Sequence, residues 1–364
     1  LVEVRKRSET FRFRDVPSRP VPSLLRGFSA PVNMTVELGD ADLEFLMAND
    51  SDLYNRWQAA QDYATRVLVE AVKAIRAGRR PAKPAGFVAA LGVTLKDASL
   101  APGYRAQFMF LPSESDLARV MARDVDPLAI HKARKELRKA IGTTHYSALV
   151  DTYREYEPKG PYSPAPEPAG KRALRNAALG YLASRGRAED IARVAAHFSN
   201  ARNATDEVSA LAMLSEVRSP ERTAAFDRFY ERWKDDHLVI DNWFAYQAAS
   251  PQPSALATVA KLMRHPLFSI KNPNKVRALI GAFVMGNPVN FNRPDGKGYE
   301  FAAERVLEID AFNPQVAARL LSAFRSWKAL EVNRRRLAKK ALQRVAKTKP
   351  LSPDSSELVG KMLE

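Results

Sequence analysis

Asn272-Pro273-Asn274-Lys275-Val276-Arg277-Ala278-Leu279-Ile280-Gly281-Ala282-Phe283 reads as a helix start. Asn272 offers a side-chain oxygen to the free amides of a first turn. Pro273 follows where its missing N–H costs nothing. Val276, Leu279, Ile280 and Phe283 then recur at helical spacing and give the element one apolar stripe. The same punctuation appears at Asp126-Pro127, Ser219-Pro220 and Asn313-Pro314, so helix starts are announced repeatedly along the chain.

Working outward, the helical period holds from about Asp40 to the end. Trp57, Ala60, Gln61, Ala64, Leu68 and Val72 lie on one face, and Ile130, Leu137 and Ile141 on another. Strand-like runs are almost absent there, Ala106–Leu111 being the one exception. Connections are short and no strict repeat period appears. A dozen or so helices winding into an irregular HEAT-like superhelix fits this pattern, with a concave inner surface. Glu157–Gly170, rich in proline, reads as a long exposed connection.

Residues 1–36 have another texture. Val2 and Val4 alternate with charges, as do Phe11 and Phe13, and Val32, Met34 and Val36 form a third short run. Period-2 alternation marks half-buried strands. Pro17-Ser18-Arg19-Pro20-Val21-Pro22 between them cannot join a central ladder. Two or three strands rarely stand alone, so the segment is expected to be the end of a β domain. The fold expected is mainly α: a helical domain over 37–364, preceded by a short β remnant of a β-sandwich over 1–36. The start at Leu1, with no initiator Met and no apolar leader, is read as a cut from a longer chain.

Composition narrows the chemistry. The 364 residues suffice for about two domains, and 46% hydrophobic with 27% charged residues is ordinary for a folded protein. Cysteine is absent, which removes disulfides, thiolate metal sites and a thiol nucleophile. Lys plus Arg number 57 against 41 Asp plus Glu, a net charge of +16, so anionic partners are favoured. No apolar run approaches a membrane span. His131, His145, His197, His237 and His265 show no i, i+4 pairing and no H-E-x-x-H pattern. Asp295-Gly296-Lys297-Gly298-Tyr299 reads as a tight turn rather than a nucleotide loop. No catalytic constellation emerges.

Several stretches together carry a resemblance. They are Pro20–Val32, Asn55-Arg56-Trp57-Gln58-Ala59-Ala60-Gln61, Lys171–Asn176, Asp241-Asn242-Trp243-Phe244, Asn272–Phe283 and Asn313–Leu320. In this order the chain resembles the C-terminal portion of the M1 family of zinc aminopeptidases. The resemblance implies a parent enzyme that removes N-terminal residues from peptides. It also implies a helical domain that caps the catalytic domain and restricts access to short peptides. The zinc site belongs to another part of such a polypeptide, so no cofactor is expected here, and this portion alone should be inactive. The implied partners are the catalytic domain of the same polypeptide and short peptides. The implied compartment is the cytoplasm, with no membrane association.

Within that frame Arg277 is the leading candidate for holding a substrate's terminal carboxylate. A cation near a helix start gains nothing from the helix dipole, so an anion is expected nearby: a substrate tail, or a structural Asp or Glu. Lys275 and Asn274 are secondary candidates, read chiefly as a solvated first-turn lysine and a local capping residue. Trp243, Phe244 and Trp57 read as core. Arg325–Lys349, with Arg334-Arg335-Arg336 and Lys339-Lys340, reads as a solvated basic face over a stripe of Leu330, Leu337, Ala341 and Val345. The alternative function is a free-standing basic helical adaptor for nucleic acid or acidic proteins. That alternative predicts strongly salt-dependent binding, and the shortage of stacking aromatics makes nucleic acid the less favoured partner.

Overall fold

The computed structural model describes residues 2–32 and 34–364; Leu1 and Asn33, both within the expected β segment, lie outside the described residues. About two thirds of the chain is helical. The helices begin with Asp40–Asn49 and Leu53–Arg76 and end with Val332–Lys347 and Pro353–Leu363.

The expected caps form. Asp126, Ser219, Asn272 and Asn313 each accept amide hydrogens of the following first turn, with proline opening the helix. Ser352 and Asn287 do the same ahead of Pro353 and Pro288. The Leu53–Arg76 helix buries Ala60, Ala64, Leu68 and Val72 as its spacing requires.

Two expectations are corrected, and a third, the β remnant over 1–36, is not shown here. No strand forms among the described residues of 2–36, and Val4 and Phe13 are 73% and 76% exposed. The alternating runs find no ladder to pair with, and strands without a sheet to join gain too little to form. Ala106–Leu111 is not strand either, because the helix Pro102–Phe108 takes its first half. Glu157–Gly170 is only partly a connection. Its last prolines, Pro166 and Pro168, begin the helix Pro166–Ala183, where the first turn needs no proline N–H.

The N-terminal segment is nevertheless tied to the helices near Pro20–Val32. Arg26 pairs with the buried Asp50 at 2.5 Å, Ser23 donates to the same carboxylate at 2.6 Å, and Asn55 donates to the Leu24 carbonyl at 2.8 Å. Two stretches quoted for the resemblance therefore meet in space.

Helices pack chiefly on near neighbours, and the segment before Pro127–Thr144 then meets the late part of the array. The main core joins side chains from residues 43–182 to side chains from 244–362. A smaller core around Val194, Phe198, Leu211, Leu214 and Phe229 fills the intervening arm. The seam is a backbone bridge: the Val125 amide donates to the Ala329 carbonyl, and the Glu331 amide to the Val125 carbonyl, both at 2.9 Å. Arg334, only 5% exposed, locks it. Its guanidinium meets Asp126 and Glu331 at 3.2 Å each and donates to the Asn292 carbonyl at 2.5 Å. The Asp295–Tyr299 turn lies beside this seam. Gly296 takes φ +77°, and a side chain on Gly298 would strike the Phe291 carbonyl, which accounts for both glycines sterically.

Two measurements test these contacts. Arg334→Ala leaves the half-buried Asp126 and Glu331 carboxylates facing each other, and is expected to destabilise by about 2 kcal/mol in denaturant titration. A loss below about 1 kcal/mol would remove the seam from the stabilising contacts. Asp206, 3% exposed, is the second case. Burial alone would raise its pKa, but the His197 ring and the amides of Asn203 and Asn176 outweigh that and hold it at about 2. A depressed carboxylate stabilises above its unfolded pKa near 4 and loses that contribution as pH falls toward 2. The stability gap between wild type and Asp206→Asn should therefore be constant above pH 5 and shrink below pH 4; a gap independent of pH would show that the carboxylate is not held in this way.

Candidate functional site

The Asn272–Phe283 stretch is built in two layers. Asn272 accepts from the amides of Asn274 at 2.9 Å and Lys275 at 3.4 Å, which starts the short helix Pro273–Val276. Val276, Leu279, Ile280 and Phe283 are all buried, as their spacing requires. Phe283 meets Phe301 edge to face with centroids 5.4 Å apart.

The middle of the stretch departs from the α pattern. Arg277–Gly281 forms a π turn, closed by the Ala282 amide reaching back to the Arg277 carbonyl, before α geometry resumes at Ala282–Gly286. A π turn inserts one extra residue into the helical ladder and swings the side chains around it. Periodicity cannot reveal it, because the apolar stripe remains compatible with either winding.

The three candidate residues separate. Lys275 is 4% exposed and faces inward, so the expected solvated lysine is corrected. Its ammonium meets Asp241 at 2.5 Å and donates to the His237 carbonyl at 2.8 Å, with the Phe244 ring centroid 5.9 Å away. A buried ammonium needs such partners, since desolvation without them is prohibitive. Asn274 is exposed, and its amide is capped by Asn272; the capping side chain is that of Asn272, not of Asn274. Arg277, three residues on, is also exposed. Among the described residues Arg277 makes no ion pair and no side-chain hydrogen bond, so the structural salt bridge offered as its alternative is not formed. The geometry thus leaves a free guanidinium on a π turn that is pinned from below by Lys275 and Asp241. Sequence reasoning missed Asp241 as the partner, although Asp241–Phe244 was among the quoted stretches.

The other candidates fall as follows. Phe244 is fully buried. Trp243 is half-buried and donates its indole N–H to the Phe226 carbonyl at 3.0 Å. Trp57 is half-buried against the core. On Val332–Lys347, Ala338, Ala341, Leu342 and Val345 are buried while Arg335, Arg336, Lys339 and Lys340 are exposed, a solvated face as expected. Arg334 is the exception and turns inward at the seam. His145 bonds the Val88 carbonyl at 2.7 Å, His197 the Tyr153 hydroxyl at 3.1 Å, and His131 the Glu114 carboxylate at 2.8 Å. Among the described residues no three His, Asp or Glu side chains converge as metal ligands, so the donor set of this chain does not fit a zinc ion. Among the described residues no helix is long and apolar enough to cross a membrane.

A cavity of about 890 Å³ sits at the seam, between the segments around Glu114–His131, Val284–Asn292 and Ser322–Leu330. A second, of about 500 Å³, lies between the starts of Pro220–Trp233 and Ala255–Leu262.

Residues 40–364 match the family described as "Domain of unknown function (DUF3458_C) ARM repeats", and residues 1–37 match its companion "DUF3458", described as an Ig-like fold. Among curated proteins, aminopeptidase N of Caulobacter vibrioides is 38% identical over 356 residues, which is 97% of this chain and 41% of that protein. Aminopeptidase N of Escherichia coli K12 is 33% identical over 364 residues, covering all of this chain and 42% of that protein. Among solved structures, Legionella pneumophila aminopeptidase A, in complex with aspartic acid, superposes with a TM-score of 0.85 at 30% identity, over 97% of this chain and 42% of that one. The chain therefore spans about two fifths of the length of the curated relatives it matches. The chain belongs to the ARM-repeat family DUF3458_C, and over nearly its whole length it is similar to the C-terminal portion of aminopeptidase N.

Proposed function

We propose that this chain is the non-catalytic C-terminal portion of an M1-type, zinc-dependent aminopeptidase, and that it governs which peptides reach the catalytic domain. In this proposal the parent removes N-terminal residues from peptides in the cytoplasm. The zinc is held by the catalytic domain of the same polypeptide, since the donor set here does not fit it. Residues 1–36 are the end of a small β-sandwich and 37–364 the helical domain. The Ig-like family match over residues 1–37 and the exposed apolar side chains of Val4 and Phe13 support that division.

One observation carries the role of this chain. Arg277 is an exposed cation without an acidic partner among the described residues, on a turn whose other side is buried and ion-paired. Peptides trimmed from the N-terminus keep a free α-carboxylate at the far end. A guanidinium matches a carboxylate in a planar, two-point contact that a lysine cannot reproduce. Arg277 holds that tail, while Asn274 and Lys275 shape the turn beneath it. The net charge of +16 adds a long-range attraction for the same tails.

The test uses the full-length enzyme and paired substrates. Arg277→Ala should raise KM for short peptides with a free C-terminus by about tenfold or more, the worth of one charge-assisted hydrogen bond. The matching C-terminal amides should be unaffected, and Arg277→Lys should rescue only in part. Equal effects on acid and amide would make Arg277 structural. Lys275→Ala is the contrasting case. It should destabilise by about 3 kcal/mol through the unpaired Asp241, and should alter acid and amide substrates alike. A selective loss for free acids in that variant would move the tail contact to Lys275.

A further inference from the structure

The 500 Å³ cavity has a composition that the chain's own contacts do not explain. Its wall carries Arg218, Arg222, Lys261 and His265 against a single carboxylate, Asp227. None of these five makes an ion pair among the described residues; Arg218, Lys261 and Asp227 are exposed at the rim, and Arg222 and His265 are half-buried. The nearest acid in sequence to Arg218, Glu216, is drawn away toward Arg138.

Arg222 is the telling group. It lies in the first turn of Pro220–Trp233, where the helix dipole adds positive potential. Its guanidinium stacks 4.8 Å from the Phe226 ring centroid, and its Nε is buried with no acceptor among the described residues. Burial alone lowers its pKa, with no neighbouring carboxylate acting in the other direction. A half-buried cation among other cations is an unfavourable arrangement unless an anion completes it.

The cavity is also firmly built. Trp243 forms one wall, fixed by its indole bond to the Phe226 carbonyl and by packing 5.1 Å from Tyr230 and 5.4 Å from His265. The Leu267 amide donates to Nδ1 of His265, which leaves the proton of the neutral ring on Nε2 as a further donor. Gln252 accepts from Nε of Arg218 at 3.0 Å and holds that side chain at the rim. Neither Arg277 nor any neighbour on its turn lines the cavity, so this site is separate from the proposed tail contact.

We propose that this cleft binds a phosphate-type dianion, either free phosphate or a small phosphomonoester, held by Arg222, Arg218 and Lys261 with His265 as a neutral donor. Three cations less one carboxylate leave a charge of about +2, which a doubly charged oxyanion balances and a single carboxylate does not. Trp243, which also lines the cavity, gives the organic part of an ester an apolar surface to meet.

The experiment titrates the full-length protein with inorganic phosphate, phenyl phosphate and acetate at fixed ionic strength, read by calorimetry. Phosphate or phenyl phosphate should bind with a Kd of 1 mM or tighter on the order-of-magnitude scale of a few charge-assisted bonds, and acetate at least about tenfold more weakly. Tighter phenyl phosphate identifies an ester as the ligand; equal affinities identify free phosphate. Arg222→Gln and Lys261→Gln should each weaken binding about tenfold. Lys261→Gln should leave the unfolding midpoint unchanged, because among the described residues its ammonium has no partner to lose; Arg222→Gln loses only the guanidinium contact with the Phe226 ring, and Arg277→Ala should leave phosphate binding intact. Acetate binding as well as phosphate, or undiminished phosphate binding in the Arg222→Gln, Lys261→Gln double variant, would overturn the proposal.

Discussion

The Arg334 guanidinium fixes two helix starts at once. Asp126 caps Pro127–Thr144 and Glu331 caps Val332–Lys347, and each carboxylate is shared between first-turn amides and Arg334. A cation in a first turn opposes the helix dipole. Here two carboxylates reverse that balance, and the amides of both helices then add to it. The consequence is topological. An array of helices that pack only on their neighbours is a one-dimensional stack, free to bend along its length. The Val125–Leu330 bridge and the Arg334 ion pairs join its early and late turns, and a single core then spans both.

The middle of the chain is tied into that closed part through the shared core. The turn carrying Arg277 packs on Ile240–Ala248 and, through Phe283, on Phe301 within the closed part of the molecule. Lys275 and Asp241 fasten its first residues. A guanidinium can select a carboxylate only if its backbone is held while its tip remains free. Buried stripe, ion pair below and solvent above meet both conditions. Lys275 points inward and Arg277 outward because residues two apart lie on opposite faces of a helix, and the π turn begins only at Arg277.

The helix starts and buried stripes were legible because their causes are local. A cap and a proline act within four residues, and a stripe repeats within two turns. Partners distant in sequence were not. Nothing near Lys275 points to Asp241, and nothing in Arg334-Arg335-Arg336 tells the middle question of which arginine turns inward. The stripe below them gave the face, but Arg334 is fixed by Asp126 and Asn292, which the fold brings from far along the chain. The π turn was hidden because its register change leaves Val276, Leu279, Ile280 and Phe283 buried either way. The N-terminal alternation shows the converse limit: a strand needs a neighbour to hydrogen-bond, and pattern alone supplies none.

The charge surplus itself has a structural origin. Asp126, Asp206, Asp241, Asp310 and Glu331 cap helices, anchor turns or neutralise buried cations. Asp50, Asp190 and Glu207 are likewise buried against arginines. Each acid used internally is an acid withdrawn from the surface, and it leaves the outward-facing lysines and arginines less compensated than the composition suggests. The excess is therefore not evenly spread. Arg277 and Arg222 are among the cations that have no acidic partner within the described residues, and such groups are where an anion from solution can supply the missing charge.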